Sequence, residues 1–180
     1  TNTKSLSTDF GLDNPEQSIH ADRLGSSSAW IGEHHFDQLG VNSRPDILLA
    51  SIIPETTNIR FAPAVNVLPL HHPIPVAEAW ATLDLLSGGR VDFATGRGYD
   101  MDEYKPFGAD FMKSAEMFEE GMDILWKAWT EEGHWSHHGE FYHIDDMSIT
   151  PKPLQNPIPF YVASFSETSS KMAAKRGHNI

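Results

Sequence analysis

The sequence predicts an α/β fold, a (β/α)8 TIM barrel of which about four βα units are visible. Three observations predict it. Short apolar runs alternate with helix-patterned segments, with the runs at 29–32, 59–67, 90–95 and 160–163, and such alternation implies parallel strands joined by right-handed crossovers. The C-terminal end of each run carries a polar or glycine cluster that its start lacks: Glu33-His34-His35, Asn66, Gly96-Arg97-Gly98, and Ser164 to Ser170. Parallel α/β folds bind ligands at that end. The competing architecture, an open doubly wound dinucleotide sheet, calls for G-x-G-x-x-G after a strand. The nearest segment, Gly96-Arg97-Gly98-Tyr99-Asp100-Met101, lacks the third glycine.

The elements follow in order. Residues 1–18 are rich in Ser, Thr, Asn and Asp and read as loop or frayed terminus. Gln17 to Leu24 is a short helical stretch stopped by Gly25, and the apolar run 29–32 is a buried strand. Pro45 to Ile53 reads as a helix with proline in its first turn and Pro54 as its stop. The strand 59–67 (IRFAPAVNV) contains a proline and must be irregular. Pro75 to Leu86 has apolar residues at helical spacing and ends at Ser87-Gly88-Gly89. Arg90 to Thr95 is a strand running into Gly96-Arg97-Gly98, and Ser114 to Thr130 is a long helix. That helix carries an apolar stripe of Met117, Phe118, Met122, Leu125, Trp126 and Trp129, which reads as core packing. Residues 133–157 read as an excursion with short β-like pieces such as His138 to Ile144, and Ser166 to Arg176 as a helix capped by Gly177. No linker divides the chain, so residues 1–180 are taken as a single domain.

Composition narrows the function. The 180 residues hold no cysteine, which excludes disulfides and thiolate metal sites, and 13 Lys+Arg against 25 Asp+Glu give a net charge of −12. So acidic a chain argues against a nucleic-acid partner, whose binding rests on basic contacts to phosphate. No apolar run approaches the roughly 20 residues of a membrane span, and the N-terminus lacks a signal-peptide core. The expectation is a cytoplasmic protein without a membrane or nucleic-acid partner.

Each polar cluster admits two readings. Glu33 and the histidines after it could be a hydrogen-bonded loop or a reactive site. Arg97 could pair with Asp92 or Asp100, or bind an anion. The hydroxyls of Ser166, Thr168, Ser169 and Ser170 could only cap a helix, or sit beside its N-terminal N–H groups as phosphate donors. His71-His72-Pro73 follows a strand and is compatible with either loop structure or substrate contact. His134, His137, His138 and His143 lack the spacing of defined zinc motifs and read as a solvent-facing excursion, so no metal site is expected.

Taken in order, AWIGEHHFDQLG (29–40), NIRFAPAVNVLPLHHP (58–73), LDLLSGGRVDFATGRGYD (83–100), Glu103 to Gly108, and PKPLQNPIPFYVASFSETSSKMAAKRG (151–177) resemble the bacterial luciferase-like flavin monooxygenase family. The resemblance spans roughly residues 20–177. It implies a (β/α)8 barrel with flavin at its C-terminal mouth. Carried over by position, it makes His34 the active-site histidine. Ala64 and Val65 become the segment packed against the isoalloxazine face, and Asn66 lies near the ring's polar edge. Arg97 becomes a flavin-contacting arginine near the phosphate, and Ser166, Thr168 and Ser169 the phosphate-binding helix start. Gly96 stands where some luciferases carry a reactive cysteine, and residues 1–16 show no convincing first strand. A barrel typically takes about 250 residues, so the visible units lead to the expectation that the chain is part of a longer barrel.

The implied reaction is oxygenation of a small organic substrate by O2 and reduced FMN through a C4a-hydroperoxide. The FMN is reduced by a separate flavin reductase, since no nicotinamide fingerprint is present. His34 would act as acid or base, an unperturbed imidazole titrating near pH 6.5. A homo- or heterodimer is the expected assembly. An F420-dependent oxidoreductase of the same fold and a non-catalytic flavin-binding relative remain open alternatives.

Overall fold

A computed structural model describes residues 14–36 and 42–180. The loop reading of residues 1–13, and the end of the Glu-His-His segment at 37–40, lie outside the described residues.

The strands of the wall run in one direction. β1 (Ser28–Ile31) pairs in parallel with β2 (Arg60–Pro63), with Ala29 opposite Phe61. β3 (Asn66–Val67) pairs in parallel with β4 (Phe93–Gly96), which in turn pairs with β7 (Phe160–Val162). A parallel bridge between Phe61 and Val91 carries the arrangement from β2 across to the residues leading into β4. Chain order is therefore spatial order, as in a barrel wall. Helices α1 (Asn14–Arg23), α2 (Pro45–Ile52), α3 (Pro73–Ser87), α4 (Met101–Tyr104), α5 (Ser114–Thr130) and α6 (Glu167–Arg176) complete the chain.

Several boundaries differ from the sequence reading, each for a local reason. The run 59–67 is two strands, broken at a cis Ala64–Val65 peptide after Pro63. Pro54 sits inside a 3-10 turn (Ile53–Glu55) instead of ending the element. The excursion is an antiparallel hairpin, β5 (Trp135–His138) and β6 (His143–Met147), so the β-like piece expected at 138–144 spans its turn. α4 and the 3-10 turns Lys105–Phe107 and Phe111–Lys113 went unpredicted, because elements this short carry no full hydrophobic period.

α5 supplies much of the core. Phe118, Met122, Leu125 and Trp129 are buried as the stripe predicts, whereas Trp126 is exposed and Met117 only half-buried. Trp129 donates its indole N–H to the Ala77 carbonyl of α3 at 3.0 Å, and its ring meets Phe93 edge-on at 5.2 Å. Phe93 also meets Trp80 and Phe160 edge-on, so one β4 residue holds α3, α5 and β7 together. Burying each such side chain contributes roughly 1.5–3 kcal/mol.

At the N-terminal ends of the strands the charges are matched. Arg60 forks onto Asp92 at 2.6 and 2.9 Å, Asp84 accepts the Gln155 backbone and side-chain N–H groups, and Arg90 donates to the carbonyls of Ser87 and Ile59. The hairpin is pinned by Glu120 of α5, which accepts backbone N–H groups of Glu140, Phe141 and Tyr142 and lies 3.0 Å from His137 Nε2.

Asp22, near the end of α1, accepts backbone N–H groups from Thr57, Asn58 and Ile59 at 2.7–2.9 Å and so fixes the approach to β2. The bonds from Thr57 and Ile59 hold its carboxyl down at about 2. A folded pKa below the unfolded value contributes stability that is complete above about pH 4 and fades as pH falls toward 2. Asp22→Ala should therefore lower the thermal midpoint at pH 7. The deficit should shrink as pH falls through that window, which a series of thermal melts from pH 7 to 2.5 would measure.

Candidate functional site

A cavity of about 920 Å³ opens at the C-terminal ends of β2, β4 and β7. It gathers His34, Ala64, Val65, Arg97, Ser166, Thr168 and Ser169, seven of the eight residues singled out by sequence. Asn66 is the exception. Its side chain is buried and turns to Glu33, donating to Oε2 at 2.8 Å, and it lines a separate cavity of about 120 Å³.

Part of the large cavity's lining is polar. Arg97 follows β4, and the two acids that might have neutralised it are engaged elsewhere: Asp92 with Arg60, and Asp100 as N-cap of α4. Among the described residues Arg97 forms no ion pair; its guanidinium lies over the Phe111 ring, 6.0 Å from the centroid. Its backbone is held by the Tyr104 hydroxyl, which donates to the Arg97 carbonyl. Burial pushes that phenol up to about 12, so it remains a donor throughout the neutral range. The start of α6 lines the same cavity. Ser166 caps it in a reciprocal box with Ser169, and Ser164 Oγ lies 2.9 and 2.7 Å from the hydroxyls of Ser169 and Ser170. The capping reading of this serine run is therefore what the structure shows, and Ser166, Thr168 and Ser169 share the cavity with Arg97.

The glycines flanking Arg97 are dictated by space. A Cβ on Gly96 would meet Val65 and Ala163 at 3.1 Å. One on Gly98, whose φ is +73°, would meet Val67 at 2.8 Å. Ala64, Val65, Val67, Phe118 and Met172 make the neighbouring wall apolar. The cavity thus has a cation, hydroxyls and a hydrocarbon face in its lining, a combination suited to a planar ring carrying a phosphate.

His34 projects into this space with its side chain 32% exposed. Its Nδ1 lies 3.5 Å from Oε1 of Glu103, a buried carboxylate that also accepts the His35 backbone N–H at 2.8 Å. With Nδ1 directed at that carboxylate, Nε2 is the atom left to exchange a proton with a ligand. Sequence reasoning missed Glu103, although it lay in a quoted motif, because nothing in its spacing ties it to a histidine 69 positions earlier.

For Glu33 the structure shows the hydrogen-bonded reading. The residue is 3% exposed; Oε2 accepts from Asn66 Nδ2 and the Val67 N–H, while the Nε2 atoms of His35 and His71 approach Oε1 at 3.0 and 2.5 Å. Burial alone would push its pKa up, but the bonds and charge from His35 and His71 outweigh it and hold the group at about 2. His71 is thereby placed in a structural network, which decides the ambiguity of the His71-His72 pair for that residue.

Residues 13–180 match the profile of the luciferase-like monooxygenases. The chain belongs to that family. It is 31% identical over 163 residues to the oxygenase component of a flavin-dependent trigonelline monooxygenase of Acinetobacter baylyi, covering 89% of this chain and 45% of that protein. It is 26% identical over 182 residues to an F420-dependent glucose-6-phosphate dehydrogenase of Amycolatopsis mediterranei, covering 97% and 54%. The crystal structure of monooxygenase RslO1 from Streptomyces bottropensis superposes with a TM-score of 0.87 at 28% identity, over 93% of this chain and 51% of that one. The chain spans about half the length of the relatives it matches. Among the described residues no helix is long and apolar enough to cross a membrane.

If the close approach at Gly98 shapes the cavity, Gly98→Ala should cost more than Gly108→Ala. Gly108 has a φ of +69° with open space around it. The backbone penalty is roughly 1–2 kcal/mol in both, and overpacking against Val67 should add roughly 1–3 kcal/mol in the first. Urea unfolding of the two variants gives the comparison, and equal costs would mean that Val67 yields freely.

Proposed function

We propose that the large cavity binds FMN and that the protein is the oxygenase of a two-component system. In this reading it accepts FMN reduced by a separate reductase and oxygenates a small organic substrate with O2. What supports this most is the convergence in one cavity of an arginine without an ion pair among the described residues, a hydroxyl-lined helix start and an apolar platform, on a chain of the luciferase-like family. The flavin-dependent relative of Acinetobacter points the same way.

Reduced FMN supplies the two electrons that activate O2. The protein's own residues do the rest. Arg97 and the hydroxyls of Ser166, Thr168 and Ser169 hold the phosphate and so fix the ring's position, which is the largest service a protein can offer a bound cofactor. Ala64 and Val65 support one face of the ring and exclude water from it. His34, oriented by Glu103 through Nδ1, accepts or returns a proton at Nε2. A homo- or heterodimeric assembly in a reducing, cytoplasmic setting belongs to the same proposal.

A second reading keeps the site and changes the cofactor. The F420-dependent relative favours a deazaflavin, which would pass hydride without O2. Incorporation of an oxygen atom from O2 into a candidate substrate, on mixing the protein with reduced FMN, separates the two, because the F420 reading predicts none. A protein that only stores flavin would bind FMN tightly and oxidise nothing.

Two variants test the residue assignments. Arg97→Ala should weaken FMN binding about 10- to 100-fold, the contribution of a charge-assisted bond, and leave riboflavin, which has no phosphate, unaffected. His34→Ala should retain FMN affinity and slow turnover by roughly 10²-fold. Fluorescence titration and single-turnover kinetics provide the readings. Equal losses for FMN and riboflavin would remove Arg97 from the phosphate.

A further inference from the structure

Glu33, His35 and His71 place one carboxylate oxygen and two imidazole nitrogens within 4.8 Å of one another. Glu33 and His35 are buried, and the His71 side chain is 21% exposed. We propose that this cluster is a structural site for a divalent cation of the zinc or ferrous class, tying the end of β1 to the turn that leads into α3. The inference does not depend on the flavin assignment.

The donor set points to that class of ion. Two imidazoles and a carboxylate without thiolate suit zinc, iron or nickel, whereas calcium and magnesium prefer oxygen alone. Outer bonds are in place as well. Asn66 Nδ2 and the Val67 N–H hold Oε2 of Glu33 at 2.8 and 3.3 Å, which turns Oε1 toward the histidines. Carboxylates that ligate metals are characteristically held in this way.

The spacing is close to that of a filled site. Ligands about 2.0–2.2 Å from zinc stand roughly 3–3.5 Å apart. Oε1 is 3.0 Å from His35 Nε2 and 2.5 Å from His71 Nε2. His71 has only to move outward by roughly half an ångström to meet that spacing, and its position in an exposed turn permits it. The cavity of about 120 Å³ beside Glu33, Asn66 and His71 gives access and room for bound water. Asn66 Oδ1 is buried without a hydrogen-bond partner among the described residues, an acceptor that such a water could satisfy.

Binding needs no improbable proton loss. To ligate through Nε2, each imidazole releases the Nε2 proton or shifts it to Nδ1, and either leaves a neutral ring with its proton at Nδ1. The histidines of the hairpin differ. His134 and His138 are exposed and meet single carboxylates, Asp146 and Asp145, so they serve as a control for adventitious binding.

The test uses the purified chain, stripped with a chelator and titrated with Co2+ or Zn2+ alone. One equivalent of Co2+ should give a visible absorption band, and Zn2+ should raise the thermal midpoint by linkage. His71→Gln keeps a donor for Oε1 but removes a ligand, and should weaken binding by roughly 100-fold. His35→Gln should do the same and stands in if the first variant does not fold. His138→Gln should change nothing. Absence of the Co2+ band in the unmodified chain, its full retention in both the His71 and His35 variants, or its loss in the His138 variant would each overturn the proposal.

Discussion

The carboxylate of Glu33 is the contact on which the site's geometry depends. It is buried at the end of β1, and through four bonds it gathers the Glu-His-His segment, the β3 residues Asn66 and Val67, and His71 before α3. Removing it would leave those donors buried without an acceptor, a penalty of roughly 1–3 kcal/mol for each neutral group. Its position decides two others. His35, held by Glu33 on its ring and by Glu103 on its backbone, fixes where His34 emerges. Val67, held at its N–H, fixes the far side of the Ala64–Val65 segment and therefore the wall against which Gly98 is packed.

The two ends of the strands differ in how their charges are matched. At the N-terminal ends Arg60, Arg90 and Asp84 are occupied by partners within the chain. At the C-terminal ends Arg97 is without an ion pair among the described residues, and a helix start lined by serines shares its cavity. A chain of net charge −12 would find many ways to neutralise an arginine. This one lies over Phe111, with its backbone clamped by Tyr104, and the proposed phosphate contact rests on that.

Much of this could be read from the residues in order. Strand direction, the polar clusters at the strand ends and the long α5 helix follow from alternation and period, and the cavity does unite His34, Ala64, Val65, Arg97 and the serines. What escaped has a common physical cause. Glu103 and Glu120 act through partners from 17 to 69 positions away, and such pairings leave no periodic trace. Asn66 shows the same limit in reverse. Its place at the end of a strand suggested the cavity, but only the register of β3 determines which face its side chain takes, and it turns to Glu33. Trp126 belongs to the apolar pattern of α5 and nonetheless lies on the surface, its ring tilted against His178 at 5.7 Å, because a helix face is broader than the layer it covers.

The central claim is that the cavity at the strand ends receives a phosphate-bearing flavin. A crystal structure of the protein with FMN tests it most directly. The account predicts the phosphate within hydrogen-bond distance of Arg97 and the Ser166–Ser169 hydroxyls, with the isoalloxazine ring against Ala64 and Val65 and His34 beside its edge. A phosphate bound elsewhere, or a ring lying away from the Ala64–Val65 wall, would contradict it.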